Sequence, residues 1–291
     1  MSMALRQRFL TGLIGQSIGQ SLSPALHEAE GRAIGIDYSY RLFDIEAEPK
    51  RAAALPDILD RMQAEGFAGC NVTFPLKQAV MPLLDRLSPE AEAMGAVNTV
   101  RFAGDGAREG HNTDWWGFGE NLRRTIPDAA VDTVALLGAG GAGAAAAYAL
   151  CRMGTRELLV IDRDADKAEE LVARLSGGST TLLPVRFADA EARLGEVDGL
   201  VQATPIGMAK LPGTPISPRA LSPEMWLAEI IYVPIETELL RAARALGCRT
   251  VDGGGMVVLQ AARALEIFTG MAADPDRMQT HLLALLREKV G

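Results

Sequence analysis

Lys77 and Asp114 close two short polar segments, Asn71-Val-Thr73-Phe-Pro75-Leu-Lys77 and Asn112-Thr-Asp114, in stretches where apolar residues would be the cheap choice. Two further segments share that character, Ser21-Leu-Ser23-Pro24 and Gly95-Ala-Val-Asn98-Thr99. An amine and a carboxylate meeting in a cleft can take up and return a proton, while hydroxyls and amides around them hold a polyhydroxylated ring. The pattern places Lys77 at the start of a helix, after a strand that ends in Thr73 and Pro75. A cation there works against the helix dipole, which points to a functional reason; an ordinary surface lysine is the competing reading.

A second constellation is Gly138-Ala139-Gly140-Gly141-Ala142-Gly143, which follows the apolar run VALL and opens an alanine-rich stretch. In a strand-turn-helix context Gly138 permits the tight turn, Gly140 lets the backbone approach a pyrophosphate, and Gly143 lets the helix pack closely on the sheet. The next strand, LVID, ends in Asp162, at the distance expected of an acid that accepts hydrogen bonds from the adenosine ribose hydroxyls of NAD. A 2′-phosphate in that place would be repelled by up to about 4 kcal/mol per charge pair at ~4 Å and an effective dielectric near ~20. Arg163 and Lys167 pull the other way, since a basic residue after this strand can hold a phosphate, but Asp162, Asp164 and Asp166 outnumber them locally. Asp164 reads most simply as the N-cap of the helix DADKAEEL. Methyltransferases that use S-adenosylmethionine share such turns, so the turn alone does not choose the reaction.

The elements that must position these residues are legible as an alternation. From Thr133 the chain runs through TVALLGAG, GAGAAAAYALCRMG, ELLVID, DADKAEELVARL, VDGLVQAT, WLAEIIY, TELLRAARALG and CRTVDG. Continuous apolar strands between amphipathic helices indicate a parallel sheet covered on both faces. The first part alternates as well, through RFLTGLIG, SPALHEAEGRAIG, YSYRLFDI, a helix to about Met62, FAGCNVT and AVNTVRF, but it lacks a phosphate-binding glycine fingerprint. The expected architecture is two-domain α/β. Residues 1–120 form a substrate-binding domain, residues 121–255 a doubly wound Rossmann-type domain, and helices from about 256 to 291 pack back onto the first, with a cleft between the two.

Composition narrows the partners. The chain has 291 residues, 48% of them hydrophobic, and a formal net charge of −8, with Lys and Arg scattered rather than gathered into a stripe that could track phosphates. Nucleic acid is therefore excluded as an expected partner. The longest apolar runs fall short of the roughly 20 residues that span a bilayer, and the N-terminal stretch lacks a signal-peptide h-region, so no membrane association is expected and the chain reads as cytoplasmic. Cys70, Cys151 and Cys248 lie far apart without a CxxC pair and read as small core hydrophobes, with no metal site. His27 reads as a helix-surface residue, His111 as one without an evident partner, and His281 as part of a terminal helix.

Taken in order, the motifs resemble the shikimate dehydrogenase family nearly end to end. SxSP stands at Ser21 to Pro24, NVTxPxK at Asn71 to Lys77, GAVNT at Gly95 to Thr99, NTD at Asn112 to Asp114 and GAGGA at Gly138 to Ala142. ATPxGM stands at Ala203 to Met208, YxPxxTxLL at Tyr232 to Leu240 and GMxxxQ at Gly255 to Gln260. The resemblance implies Lys77 and Asp114 as the catalytic pair of a reversible shikimate or quinate dehydrogenase. It implies Ser21, Ser23, Thr73, Asn98, Asp114, Tyr232 and Gln260 as contacts to a cyclic hydroxy acid. It implies the turn Gly138, Ala139, Gly140, Gly141 and Ala142, with Asp162, Arg163, Thr204, Ile230, Gly253 and Met256, as the cofactor site. Where NADP-using relatives commonly carry Asn-Arg-Thr, this chain has Asp162-Arg163-Asp164, similar to the NAD-using quinate/shikimate branch; NAD is the expected cofactor and NADP the less favoured one. Trp115 replaces the family's usual Gly after NTD and reads as packing at the domain boundary. The methyltransferase reading explains none of the first-part motifs. A quinate-specific or aminoshikimate dehydrogenase, and a non-catalytic NAD-binding regulator, remain as alternatives, with a monomer or homodimer as the expected assembly.

Overall fold

The computed structural model describes residues 7–46 and 51–290, which fall into two compact units. One runs to Thr113 and resumes at Gln260; the other is Asp114 to Leu259. The first break comes where a helix starts at Asp114, earlier than the 120/121 boundary expected from the sequence, because that helix packs on the helix after the glycine turn.

In the first unit the strands are β1 (Arg8–Gly15), β2 (Asp37–Asp44), β3 (Gly69–Val72), β4 (Arg86–Leu87), β5 (Thr99–Phe102) and β6 (Arg108–His111). They form one mixed sheet in the order β2-β1-β3-β5-β6-β4. Helices α1 (Ser23–Ala33), α2 (Leu55–Ala64) and α3 (Pro89–Met94) belong here. Leu55, Ile58, Leu59 and Met62, at helical spacing on α2, are fully buried against Ile14, Val72 and Val100 of the sheet. A separate cluster holds Phe9, Leu13, Tyr38 and Tyr40 with Leu265.

Lys77 does not start a helix. The chain after β3 makes turns through Val80 and one short 3₁₀ segment, Met81–Leu83. Pro82, with no N–H to give, cannot carry an α-helical ladder there, and the argument from an opposed dipole falls away. The turn is nevertheless firm: Leu76 N donates to Thr73 O at 2.9 Å, Val97 N donates to the Lys77 carbonyl at 2.8 Å, and Leu76 and Val80 are fully buried.

The second unit contains α4 (Asp114–Thr125), β7 (Thr133–Leu137), α5 (Gly141–Met153), β8 (Glu157–Asp162), α6 (Ala165–Leu175), β9 (Thr181–Arg186), α7 (Ala190–Arg193), β10 (Gly199–Gln202), β11 (Trp226–Glu229), α8 (Glu238–Leu246) and β12 (Arg249–Val251). All six strands are parallel, in the order β12-β11-β10-β7-β8-β9. The order reverses between β7 and β10, the switch point at which doubly wound sheets bind ligands beyond the carboxyl ends of their strands. The central strands β7 and β8 carry apolar, fully buried runs at residues 134–137 and 158–161, as parallel sheets require. α9 (Gly253–Thr269) then leaves this unit, and α10 (Pro275–Val290) packs on α1. There Arg277 clamps the buried Glu30 carboxylate at 2.9 and 2.6 Å while Asp274 N donates to it at 2.8 Å, a charge satisfied on both oxygens.

Candidate active site

The cofactor-type residues gather at the switch point. Gly138 has φ +102°, and a Cβ on Gly143 would stand 1.8 Å from the Gly138 carbonyl oxygen, so neither position admits a side chain without moving the turn. Gly140, the N-cap of α5, has nothing within 4 Å of where a Cβ would be. The turn thus leaves its middle open at a helix N-terminus, where backbone N–H groups favour an anion. Ala139, Gly141 and Ala142 complete this rim.

Asp162 ends β8 with its carboxylate bound to the turn: Oδ2 accepts from Ala139 N at 2.7 Å and Oδ1 from Asp164 N at 2.9 Å. Asp164 stands at the N-cap of α6 but accepts no capping hydrogen bond; it pairs with Lys167 at 3.5 Å instead. Arg163 lies over the Phe187 ring, 5.3 Å from its centroid. Across the switch point the fully buried Gln202 amide fastens the loop after β10, donating to the carbonyls of Thr204 at 3.1 Å and Ile206 at 2.8 Å and accepting from Thr204 N at 2.8 Å. Ile230 follows β11, and a Cβ on Gly253 would meet its carbonyl oxygen at 2.3 Å. Met256 is buried in the core cluster that Ile230 packs against. Trp115 packs on that same cluster, edge-on to Tyr148 at 5.3 Å, so the residue in the place of the usual Gly is a packing residue in this unit.

The first unit assembles the substrate-type residues through buried polar contacts. Ser21 Oγ donates to Ser23 Oγ at 3.1 Å. Asn98 Oδ1 accepts from Thr113 N at 2.8 Å and from Thr99 Oγ1 at 2.9 Å, and Asn98 Nδ2 donates to Thr113 Oγ1 at 3.0 Å. Asp114, buried, follows Thr113 directly in the chain. Thr73 directly follows β3, its N–H given to Ile14 O at 2.9 Å, and Lys77 and Gln260 are half-buried. Tyr232, in the second unit, is half-buried, and burial pushes its phenol up.

Three findings depart from the sequence reading. Asn71 and Tyr40 extend the group around Asn98, since Tyr40 Oη donates to Asn71 Oδ1 at 2.9 Å and Asn71 Nδ2 donates to Thr99 Oγ1 at 3.0 Å. Asn71 could have been found as the first letter of its motif; Tyr40 carries no sequence signal beyond a place in a strand of mixed polar and apolar residues. His27 is 1% exposed rather than on a helix surface, its ring centroid 4.7 Å from that of Tyr40, and burial pushes it down to about 3, so it stays neutral. The third is Glu229 at the end of β11. Its carboxyl is 3% exposed, takes Ile231 N at 3.0 Å and the Thr237 hydroxyl at 2.9 Å, and is pushed by burial up to about 7.

Glu229 has a measurable consequence. Below about pH 4.5 it is protonated in folded and unfolded chains alike. Between there and about 7 only the unfolded chain releases the proton, so its contribution to stability falls as pH rises through that window and is level above it. Gln keeps an acceptor for Ile231 N and, by reversing the bond that the Thr237 hydroxyl now gives to Glu229, can donate to Thr237 Oγ1. Glu229→Gln should therefore be more stable than the parent at pH 8 by on the order of 2 kcal/mol and equal to it near pH 4.5, as read by denaturant melts. His27 acts in the opposite sense, costing stability as pH falls from 6.5 toward about 3, so only the difference between the two proteins isolates Glu229.

A parallel sheet with an open glycine turn at its switch point, and an acid on the next strand tied to that turn, defines a dinucleotide-binding α/β protein. Comparison with known proteins narrows the class. Residues 13–100 match the family model of the shikimate dehydrogenase substrate binding domain, and residues 120–209 that of shikimate / quinate 5-dehydrogenase. The NADP⁺ shikimate dehydrogenase of Streptomyces avermitilis is 46% identical over 95% of this chain and 96% of its own. The NAD⁺ quinate/shikimate dehydrogenase of Corynebacterium efficiens is 44% identical over 95% and 98%. Among solved structures, the quinate dehydrogenase of Corynebacterium glutamicum in complex with NAD superposes with a TM-score of 0.92 at 42% identity, covering 96% of this chain and all of that one. The chain belongs to the shikimate dehydrogenase family.

Proposed function

We propose that this enzyme interconverts shikimate and 3-dehydroshikimate, and quinate and 3-dehydroquinate, by reversible hydride exchange with NAD, with NADP as the poorer partner. The observation that carries the reading is the set of tied-down polar side chains in the first unit, in which Ser21 and Ser23 are bonded to each other and the buried Asn98 is bonded to Thr99 and Thr113. Hydroxyls and amides held in this way can be turned toward a carboxylate and ring hydroxyls with little reorganisation, and an apolar substrate would give them nothing in exchange for lost water. Thr73, Tyr232 and Gln260 complete the proposed substrate contacts.

The residues present fit a dinucleotide. The rim Gly138, Ala139, Gly140, Gly141 and Ala142 would hold the pyrophosphate, Asp162 the adenosine ribose, and Thr204, Ile230, Gly253 and Met256 the nicotinamide side, with Arg163 beside the ribose. When bound, NAD supplies the hydride acceptor. Lys77 takes up the hydroxyl proton during oxidation and gives one to the forming alkoxide during reduction. Asp114 orients the Lys77 amine and accepts a hydrogen bond from a substrate hydroxyl. The first unit is then the substrate domain and the second the cofactor domain. No helix among the described residues is long and apolar enough to cross a membrane. We read the enzyme as a cytoplasmic monomer or homodimer without a nucleic-acid partner.

A steady-state comparison of shikimate and quinate, each with NAD and NADP, followed at the absorbance of the reduced nicotinamide, tests this. Turnover of at least one acid with higher kcat/KM for NAD is expected. Dinucleotide binding without turnover of either acid would instead make the chain a non-catalytic NAD-binding regulator, and turnover of quinate alone would restrict the substrate.

A further inference from the structure

The loop from β1 to α1, residues 16–22, carries Ser21 and delivers Ser23 as the first residue of α1. Near its start Ser17 has φ +55°, in the left-handed region that costs an L side chain free energy and persists only where neighbours hold it. Helix α1 gives no such hold, since Leu22 at its N-cap makes no side-chain capping bond. Asp44, the last residue of β2, does. Its Oδ1 accepts from Ser17 N and from Glu46 N, each at 3.0 Å, and its Oδ2 accepts from Ile18 N at 2.9 Å. Glu46 takes the Ser17 hydroxyl. Partial burial pushes the Asp44 carboxyl up, but the N–H groups of Glu46, Ile18 and Ser17 together hold it below its ordinary value.

From Ile18 the tie continues to the serines. Ser21 N donates to the Ile18 carbonyl at 2.9 Å, Ser23 N donates to Ser21 Oγ at 3.2 Å, and Ser21 Oγ donates to Ser23 Oγ at 3.1 Å. The Ile18 side chain is buried in the cluster of Phe9, Leu13, Tyr38 and Tyr40, which anchors the middle of the loop. At the other end Gln16 N donates to the Phe74 carbonyl at 3.0 Å, one residue after Thr73 and three before Lys77.

We propose that Asp44 is a positioning residue for substrate binding: its carboxylate, by holding the backbone of Ser17 and Ile18, fixes the loop that sets Ser21 and Ser23 toward the hydroxy acid. This rests on the reading that the two serines contact substrate. The bond from Glu46 N closes the turn after β2; the two that cross to Ser17 and Ile18 serve the serine loop. Asp44 acts on backbone N–H groups and through that loop, so its loss should be felt in substrate affinity and not in the chemical step.

Asp44→Asn keeps the shape and removes one acceptor oxygen. With the amide oxygen in the place of Oδ1 the bond from Ile18 N is lost, and with it in the place of Oδ2 those from Ser17 and Glu46 are lost. The expected result is a KM for the hydroxy acid raised about tenfold, the weight of roughly one hydrogen bond to a charged group, with kcat within about twofold and the KM for NAD unchanged. The thermal midpoint should fall by no more than about 4 °C. Charge alone predicts the reverse, because taking an anion away from a carboxylate binder would lower that KM. In the background of Ser21→Ala with Ser23→Ala the same change should add little, since Asp44 acts through those serines. A lower or unaltered hydroxy-acid KM, or full additivity with the serine pair, would overturn the assignment. So would a variant that does not fold, or one in which both KM values rise with a larger fall in the midpoint, because the carboxylate would then be structural. A parent enzyme inactive on shikimate and quinate with both dinucleotides would refute the functional reading itself, whereas an active parent with an indifferent Asp44→Asn refutes only this inference.

Discussion

Lys77→Ala is expected to lower kcat about a thousandfold while the KM for the hydroxy acid and for NAD each stay within about threefold, in the range found when a positioned acid-base group is removed. The loss should fall on kcat because the amine acts on a proton that moves only as the alcohol becomes a ketone. The fold should survive. The turn bearing Lys77 is anchored by the buried Leu76 and Val80 and by the hydrogen bond from Val97 N to the Lys77 carbonyl, none of which needs the side chain. Rapid-mix kinetics in both directions check the claim, since a group that takes the proton in oxidation must return it in reduction. A variant that keeps near-parental kcat in either direction would remove Lys77 from the chemistry and leave it as an ordinary surface lysine.

How far these roles could be seen in advance depends on where the constraint acts. The glycine turn was visible because its residues answer to backbone geometry: nothing but Gly fits Gly143 against the Gly138 carbonyl. The strands β7, β8, β10 and β11 were visible because burial on both faces demands unbroken apolar runs. β9 was not, since it edges the sheet, carries Pro184 and alternates exposed with half-buried residues, so its pattern resembles a loop. β4 and β6 were missed for a related reason. Arg86 on β4 and Arg101 on the neighbouring β5 pair with Glu109 on β6 in salt bridges of 2.8 and 2.6 Å, and such polar faces carry no apolar signal. In the site, motif residues could be named one by one, but their connection could not. Tyr40, Asn71, Thr99 and Asn98 come from three strands and one loop, and their hydrogen bonds exist only once the register Asn71↔Thr99 is set. Glu229 was hidden by the opposite logic: an acid at the end of an apolar strand reads as solvated, and only the loop that returns over it through Thr237 buries it.

Asp162 shows why a visible residue can still be half understood, and it carries the second large expected effect. The sequence suggests a reader of the ribose; the structure adds that each carboxylate oxygen already takes one backbone N–H, from Ala139 and from Asp164. Each oxygen keeps a further lone pair, so holding the turn and accepting from ribose hydroxyls are compatible. The two jobs predict different things. Asp162→Ala removes both together with one negative charge, and should weaken NAD more than NADP. Asp162→Asn combined with Asp164→Thr leaves one acceptor for the turn and places at the α6 N-cap a hydroxyl able to make the capping bond that Asp164 does not make. It also removes two negative charges from the place a 2′-phosphate would occupy. With a ceiling near ~4 kcal/mol per charge pair, a third of which is already about tenfold, the ratio of kcat/KM for NADP to that for NAD should rise at least about a hundredfold. Arg163, now over Phe187, is then opposed by fewer acids and can turn to the phosphate. Steady-state measurements with both dinucleotides decide it. If the double variant loses kcat/KM for the two cofactors by the same factor, Asp162 is a fastener of the glycine turn, and the preference for NAD must come from elsewhere in the second unit.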